Sequence, residues 1–128
     1  MRTGVGVRGA SIISIVDDDE SNREAVSTLL KSAGFTVEAF ASAEDFLNST
    51  HRHHTGCLVL DLRMPGMNGL ELQQRLAAAK YRIPIIFITA QNDEESRTRA
   101  FQAGAIDFLP KPFREEALLQ AVQVALGD

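Results

Sequence analysis

Cys57-Leu58-Val59-Leu60-Asp61 is the stretch on which the fold turns. Four apolar residues run into one carboxylate, and Leu62-Arg63-Met64-Pro65-Gly66 follows. A short apolar run closed by Pro and Gly predicts a buried parallel strand that stops abruptly. Open α/β sheets collect ligands at the carboxyl ends of such strands. Asp61 therefore belongs on a rim, and the rest of the chain decides what stands beside it.

Upstream, residues 11–16 (SIISIV) form a β-branched, apolar strand that ends in Asp17-Asp18-Asp19-Glu20. Residues 21–33 are helical, because Val26, Leu29, Leu30 and Ala33 keep helical spacing, and Gly34 stops the helix. Residues 35–40 are a second, shorter strand. Ser42 caps a short helix with Glu44 and Asp45 in its first turn, ending near Ser49. Residues 51–56 form a loop before the central strand.

Downstream, a helix runs from Gly69 to about Ala79 with Leu72, Leu76 and Ala79 on one face. Residues 84–88 (PIIFI) are the fourth strand, ending at Thr89-Ala90. Asn92 or Asp93 caps a helix that reaches Ala103 and stops at Gly104. Residues 106–109 are the fifth strand, followed by Pro110-Lys111-Pro112-Phe113, and residues 114–126 are the last helix.

Five β units alternate with five α units on short loops, which predicts a parallel sheet with helices on both faces. Right-handed crossovers and five strands favour the flavodoxin-like (βα)5 order 2-1-3-4-5. Its switch point lies between the first and third strands. The tips carrying Asp17, Asp18 and Asp61 become neighbours there, with Thr89 and Lys111 arriving from the fourth and fifth strands. One Asp after a strand is commonly a helix cap, and one Lys there is usually solvated. Their convergence on a single rim is what carries meaning.

Three carboxylates packed together repel unless a cation lies among them. Mg²⁺ suits carboxylate and carbonyl oxygens, and it keeps waters that a phosphate oxygen can replace. Lys111 adds a fixed positive charge, and the Thr89 hydroxyl can donate to an anionic oxygen. A carboxylate in such a pocket can attack phosphorus and form an acyl phosphate.

Composition bounds the alternatives. The chain has 128 residues, a net charge of −4, 45% hydrophobic residues and a single cysteine. This describes one globular domain with no internal disulfide, which fits a cytoplasmic location. No apolar run reaches the roughly 20 residues of a membrane span, and no signal peptide is visible. The acidic balance argues against nucleic-acid contact by these residues. Gly4-x-Gly6-x-x-Gly9 has the spacing of a dinucleotide fingerprint, but no strand precedes it, so residues 1–10 are expected to be a flexible leader. His51, His53, His54 and Cys57 do not complete a zinc site.

The motifs Val16-Asp17-Asp18, Leu60-Asp61-Leu62-Arg63-Met64-Pro65-Gly66-Met67-Asn68-Gly69, Ile88-Thr89-Ala90, Ala103-Gly104-Ala105 and Lys111-Pro112-Phe113 closely resemble those of the receiver domains of bacterial two-component response regulators. The resemblance covers about residues 11–126 and implies a receiver domain over 11–128. It implies that Asp61 accepts phosphate from a sensor histidine kinase. Asp61, Asp18 and the backbone carbonyl of Arg63 would hold Mg²⁺, with Asp17 acting through a metal-bound water. It further implies that Thr89 and Ala90 border the phosphoryl group, that Lys111 pairs with it, and that the Lys111-Pro112 bond is cis. Phe108 matches the switch aromatic, the other reading being plain core.

The resemblance implies a switching face made of the fourth helix, the fifth strand and the fifth helix. That face would serve homodimerisation or an output domain or partner protein, with transcription as the outcome. The Asp107-to-Phe113 ending is similar to receivers attached to LuxR-type DNA-binding domains. In the last helix, Leu119, Val124 and Leu126 lie off the inward stripe of Leu118, Ala121, Val122 and Ala125, which suggests a second partner. The chain is expected to be a phosphoacceptor rather than an enzyme. A haloacid-dehalogenase-type phosphatase would need an acid two residues after Asp61, where Arg63 stands. A binding module that cannot be phosphorylated would not need the full set of acids, Thr89 and Lys111.

Overall fold

A computed structural model of the protein describes residues 12–50, 52–90 and 93–127. The leader, Ser11, His51, Gln91 and Asn92 lie outside the described residues, and so does the Gly4-to-Gly9 motif. The strands are β1 (Ile12–Val16), β2 (Val37–Phe40), β3 (Thr55–Asp61), β4 (Ile85–Thr89) and β5 (Asp107–Pro110). The helices are α1 (Glu20–Ser32), α2 (Ala43–Leu47), α3 (Gly69–Ala78), α4 (Glu94–Gln102) and α5 (Glu115–Ala125). All strand pairs are parallel, in the order β2-β1-β3-β4-β5. This is the flavodoxin-like sheet expected from the alternation of elements.

Strand alternation sorts the core into two layers. Leu58, Leu60, Ile85, Phe87 and Phe108 pack with Phe46, Leu72, Leu76 and Ala100, on the side of α2, α3 and α4. Cys57, Val59, Ile86, Ile88 and Leu109 pack with Val26, Leu30, Leu118 and Val122, on the side of α1 and α5. The sheet is covered on both faces, so β3 and β4 read as continuous apolar runs.

Element ends depart from the sequence reading for identifiable reasons. β2 begins at Val37 and not at residue 35, because Phe35 closes α1: its N–H donates to Leu30 O at 3.1 Å while Gly34 N–H donates to Lys31 O at 2.9 Å. Gly34 has φ +95°, the left-handed conformation this closure needs. β4 begins at Ile85 because Pro84 has no N–H to give, though its carbonyl accepts from Leu58 N–H at 2.9 Å. Arg52–His54 is a 3-10 turn, and β3 starts two residues earlier than Cys57. His53 leaves that turn to hydrogen-bond the Tyr81 hydroxyl at 3.2 Å, while Cys57 is fully buried in β3.

On α5, Leu118, Ala121 and Val122 are buried as expected, but Leu119 and Leu126 also pack on the α1–α5 layer. Only Val124 of the three off-stripe residues is exposed, at 58%. The second apolar face suggested by the sequence is therefore reduced to one residue of α5.

Candidate functional site

β1 and β3 are direct neighbours, with Val16 opposite Leu60, so the residues that follow each strand emerge side by side. Asp17 and Asp61 are buried at 5% and 8% exposure, and Asp18 is exposed. Each of the three offers a carboxylate oxygen, and these oxygens lie within 4.8 Å of one another. Lys111 reaches across from the end of β5. Its Nζ lies 3.4 Å from Asp17 Oδ2 and 3.9 Å from Asp61 Oδ1. The Lys111-Pro112 peptide is cis.

Asp17 is held from several directions. Its N–H donates to Phe40 O at 3.1 Å, and its Oδ1 accepts from Asp19 N–H at 2.9 Å. Its carbonyl accepts from Arg23 Nη1 at 2.7 Å, a contact that no motif in the sequence announced. Asp19 turns its own side chain to α1, capping Asn22 N–H at 3.2 Å. The run of four acids thus divides its labour: Asp17 and Asp18 face the rim and Asp19 serves the helix.

Asp61 stands on the last residue of β3. Its carboxyl is raised to about 6, first by burial and then by the neighbouring Asp17 charge, with Lys111 and a hydrogen bond from the Arg63 backbone acting in the opposite sense. Gly69 lets the next helix start against this strand end. Its N–H donates to Leu62 O at 2.9 Å, and a Cβ at Gly69 would meet the Asp61 carbonyl oxygen at 2.5 Å. Asn68 and Glu71 close a capping box over the first turn of α3. Gly66, at φ +74°, turns the loop between them, and Met67 N–H donates to Glu44 Oε2 at 3.3 Å.

Thr89 ends β4 fully buried, and its carbonyl accepts from Lys111 N–H at 2.8 Å. Ala90 follows it, exposed at the rim. Phe108 is buried at 6% and packs on Phe87, with ring centroids 5.9 Å apart. The Arg63 guanidinium lies 3.9 Å from Asp93, the N-cap of α4. The Ser96 hydroxyl donates to Asp93 and is the main cause holding that carboxyl low.

The donor set of carboxylates, with no histidine or thiolate, suits a hard cation that prefers oxygen. Fold and site together define a doubly wound α/β domain with an acidic, cation-ready pocket at its topological switch point. Residues 13–123 match the response regulator receiver domain, and the chain belongs to that family. It is 50% identical over 117 residues to the response regulator protein TodT of Pseudomonas putida, covering 91% of this chain and 52% of TodT. It is 39% identical over 114 residues to the transcriptional regulatory protein FixJ of Bradyrhizobium diazoefficiens, covering 89% of this chain and 56% of FixJ. The crystal structure of FixJ-N superposes with a TM-score of 0.84 at 40% identity, covering 91% of this chain and 93% of that one. The chain spans about half the length of the curated relatives it matches. Among the described residues, no helix is long and apolar enough to cross a membrane.

Proposed function

We propose that this chain receives a phosphoryl group on Asp61 from the phosphohistidine of a sensor histidine kinase. The observation that carries the proposal is the meeting of Asp17, Asp18 and Asp61 with the Lys111 ammonium at one rim. An Asp61 carboxylate oxygen attacks phosphorus, the P–N bond breaks, and its electron pair returns to the histidine nitrogen. Mg²⁺ held by Asp18, Asp61 and the Arg63 carbonyl, with Asp17 acting through water, would neutralise charge on the transferring group. Lys111 holds a phosphoryl oxygen from the far side, and Thr89 and Ala90 offer a hydroxyl and a backbone N–H.

The phosphoryl group adds roughly −1.5 to −2 charge at one point. Moving a population from 1:99 to 99:1 needs about 5.5 kcal/mol of preference for the active state. A few charge-assisted hydrogen bonds of about 1.5–3 kcal/mol each supply it. Thr89 and Phe108 are the proposed two-state element, coupling the pocket to the face made by α4, β5 and α5. That face would dimerise or engage an output domain or partner protein, with transcription as the outcome, in the cytoplasm. The match covers only 56% of the transcriptional regulatory protein FixJ, which supports a separate output part. The domain acts as a phosphoacceptor and not as an enzyme on other substrates, catalysing at most its own phosphorylation and dephosphorylation.

Acetyl phosphate with Mg²⁺, followed by intact mass measurement, tests the reading. The expected result is one phosphoryl group per chain, absent in Asp61→Asn and without EDTA-resistant labelling. Labelling that persists in Asp61→Asn overturns the assignment.

A further inference from the structure

Arg23 takes no part in the proposed phosphoryl transfer, yet its position is unusual for a cation. It is the fourth residue of α1, in the turn where the helix dipole favours negative charge. Helical side chains lean toward the N-terminus, so one at this position can reach back over the start of its own helix. The guanidinium does so, and Nη1 donates to the Asp17 carbonyl at 2.7 Å. Asp17 is then tied at each backbone group and at each carboxylate oxygen: N–H to Phe40, carbonyl from Arg23, Oδ1 from Asp19, and Oδ2 toward Lys111. Of the side chains in that set, Arg23 is the one outside the rim constellation.

We propose that Arg23 is a positioning residue for the divalent-cation site, fixing the β1–α1 turn so that the Asp17 and Asp18 carboxylates stay aimed at Asp61. The proposal rests on the metal reading given above, and it makes a claim about sign. Arg23 is a positive charge behind a cation site. If it acted by charge alone, its removal would tighten cation binding. If it acts by holding the turn, its removal loosens binding despite relieving repulsion.

Mg²⁺ affinity measured by calorimetric titration of the whole chain separates the two. The amide NMR shifts of residues 17–19 serve as a local readout. Arg23→Gln should raise the Mg²⁺ dissociation constant by about tenfold, the lower end for outer-shell partners of metal ligands. Arg23→Lys should recover part of the loss, since an ammonium can still reach the carbonyl but with one donor direction less fixed. Thermal unfolding in EDTA reports whether each variant is folded, and Arg23→Lys carries the test should Arg23→Gln unfold. Unchanged or tighter binding in a folded variant overturns the positioning role while leaving the metal site standing. Absence of Mg²⁺ binding by the wild-type chain overturns the metal reading itself, and the positioning role with it.

Discussion

At the carboxyl rim of the sheet, Asp17, Asp18 and Asp61 bring carboxylate oxygens within 4.8 Å of one another, two of them on buried residues. At the opposite rim, where α1, α3 and α4 end, the backbone closes on itself. Phe35, Tyr81 and Ala105 N–H groups donate to Leu30, Leu76 and Ala100 carbonyls, and the C′ residues Gly34, Lys80 and Gly104 donate to Lys31, Ala77 and Phe101. Lys31, Arg75 and Arg99 stand in the last turns, where the helix dipoles favour cations. One rim satisfies its polar groups internally. The other gathers like charges that Lys111 and a few backbone N–H groups offset in part, leaving the rest to a proton or a cation. Repulsion stored at a rim is what gives a bound ligand something to relieve.

The largest test of that contrast is at Asp61. Its folded-state carboxyl lies at about 6 against 3.8 for an ordinary one, so the folded protein holds the proton more tightly than the unfolded chain. Stability without metal should therefore rise as pH falls from above 6 toward 4, and the penalty is fully present above 6. Asp61→Asn should stabilise the metal-free protein at pH 8 by about 1–3 kcal/mol once solvent screening is allowed for, and by well under about 1 kcal/mol at pH 4. Denaturant unfolding at both pH values checks this. Added Mg²⁺ should raise the wild-type Tm at pH 8 and lose that effect below pH 5, whereas EDTA should leave Asp61→Asn unmoved.

The geometry under the same rim is tested next. Gly69→Ala places a Cβ against the Asp61 carbonyl and the Phe87 ring, and should cost about 2 kcal/mol by overpacking. It should also lower the yield of phosphorylation, because the end of β3 must shift. An Ala that leaves both unfolding and labelling unchanged would show that this strand end is slack.

The smallest effect belongs to the opposite rim. Lys80 occupies a left-handed position, φ 64°, where α1 and α4 use glycine. Lys80→Gly should stabilise by about 0.5–1 kcal/mol at every pH, and it should leave Mg²⁺ binding untouched. A pH-dependent or Mg²⁺-dependent change at Lys80 would break the separation of the two rims.

Much of this was legible in the chain. The alternation through Leu58, Val59 and Leu60 sets which residue faces which helical layer, and Gly34 and Gly104 mark helix ends by conformational need. The gathering of Asp17, Asp18, Asp61 and Lys111 followed from strand order, because parallel strands all end on the same side. The helix end at Lys80 was harder to see, since a lysine carries no signal for a left-handed residue. Phe35 looked like strand because it is aromatic and precedes Thr36-Val37, yet its N–H is taken by the closure of α1. Arg23 carried no motif, and only the fold-back of its side chain gives it a partner.

The sequence by itself determined the elements, their order and the rim on which the acids stand, because periodicity, caps and chain direction are local properties. Tertiary structure alone decided which side chains meet across long separations. Ser14 and Thr55 share a buried 2.7 Å hydrogen bond across the point where the β1–β3 register shifts, between Ile12 and Ile13. Gln73 is buried because it ties α3 to the Ala100 carbonyl of α4. Leu119 and Leu126 turn inward because α1 and α5 share a layer. Register and layer packing depend on the whole sheet at once, and no single stretch of this chain encodes them.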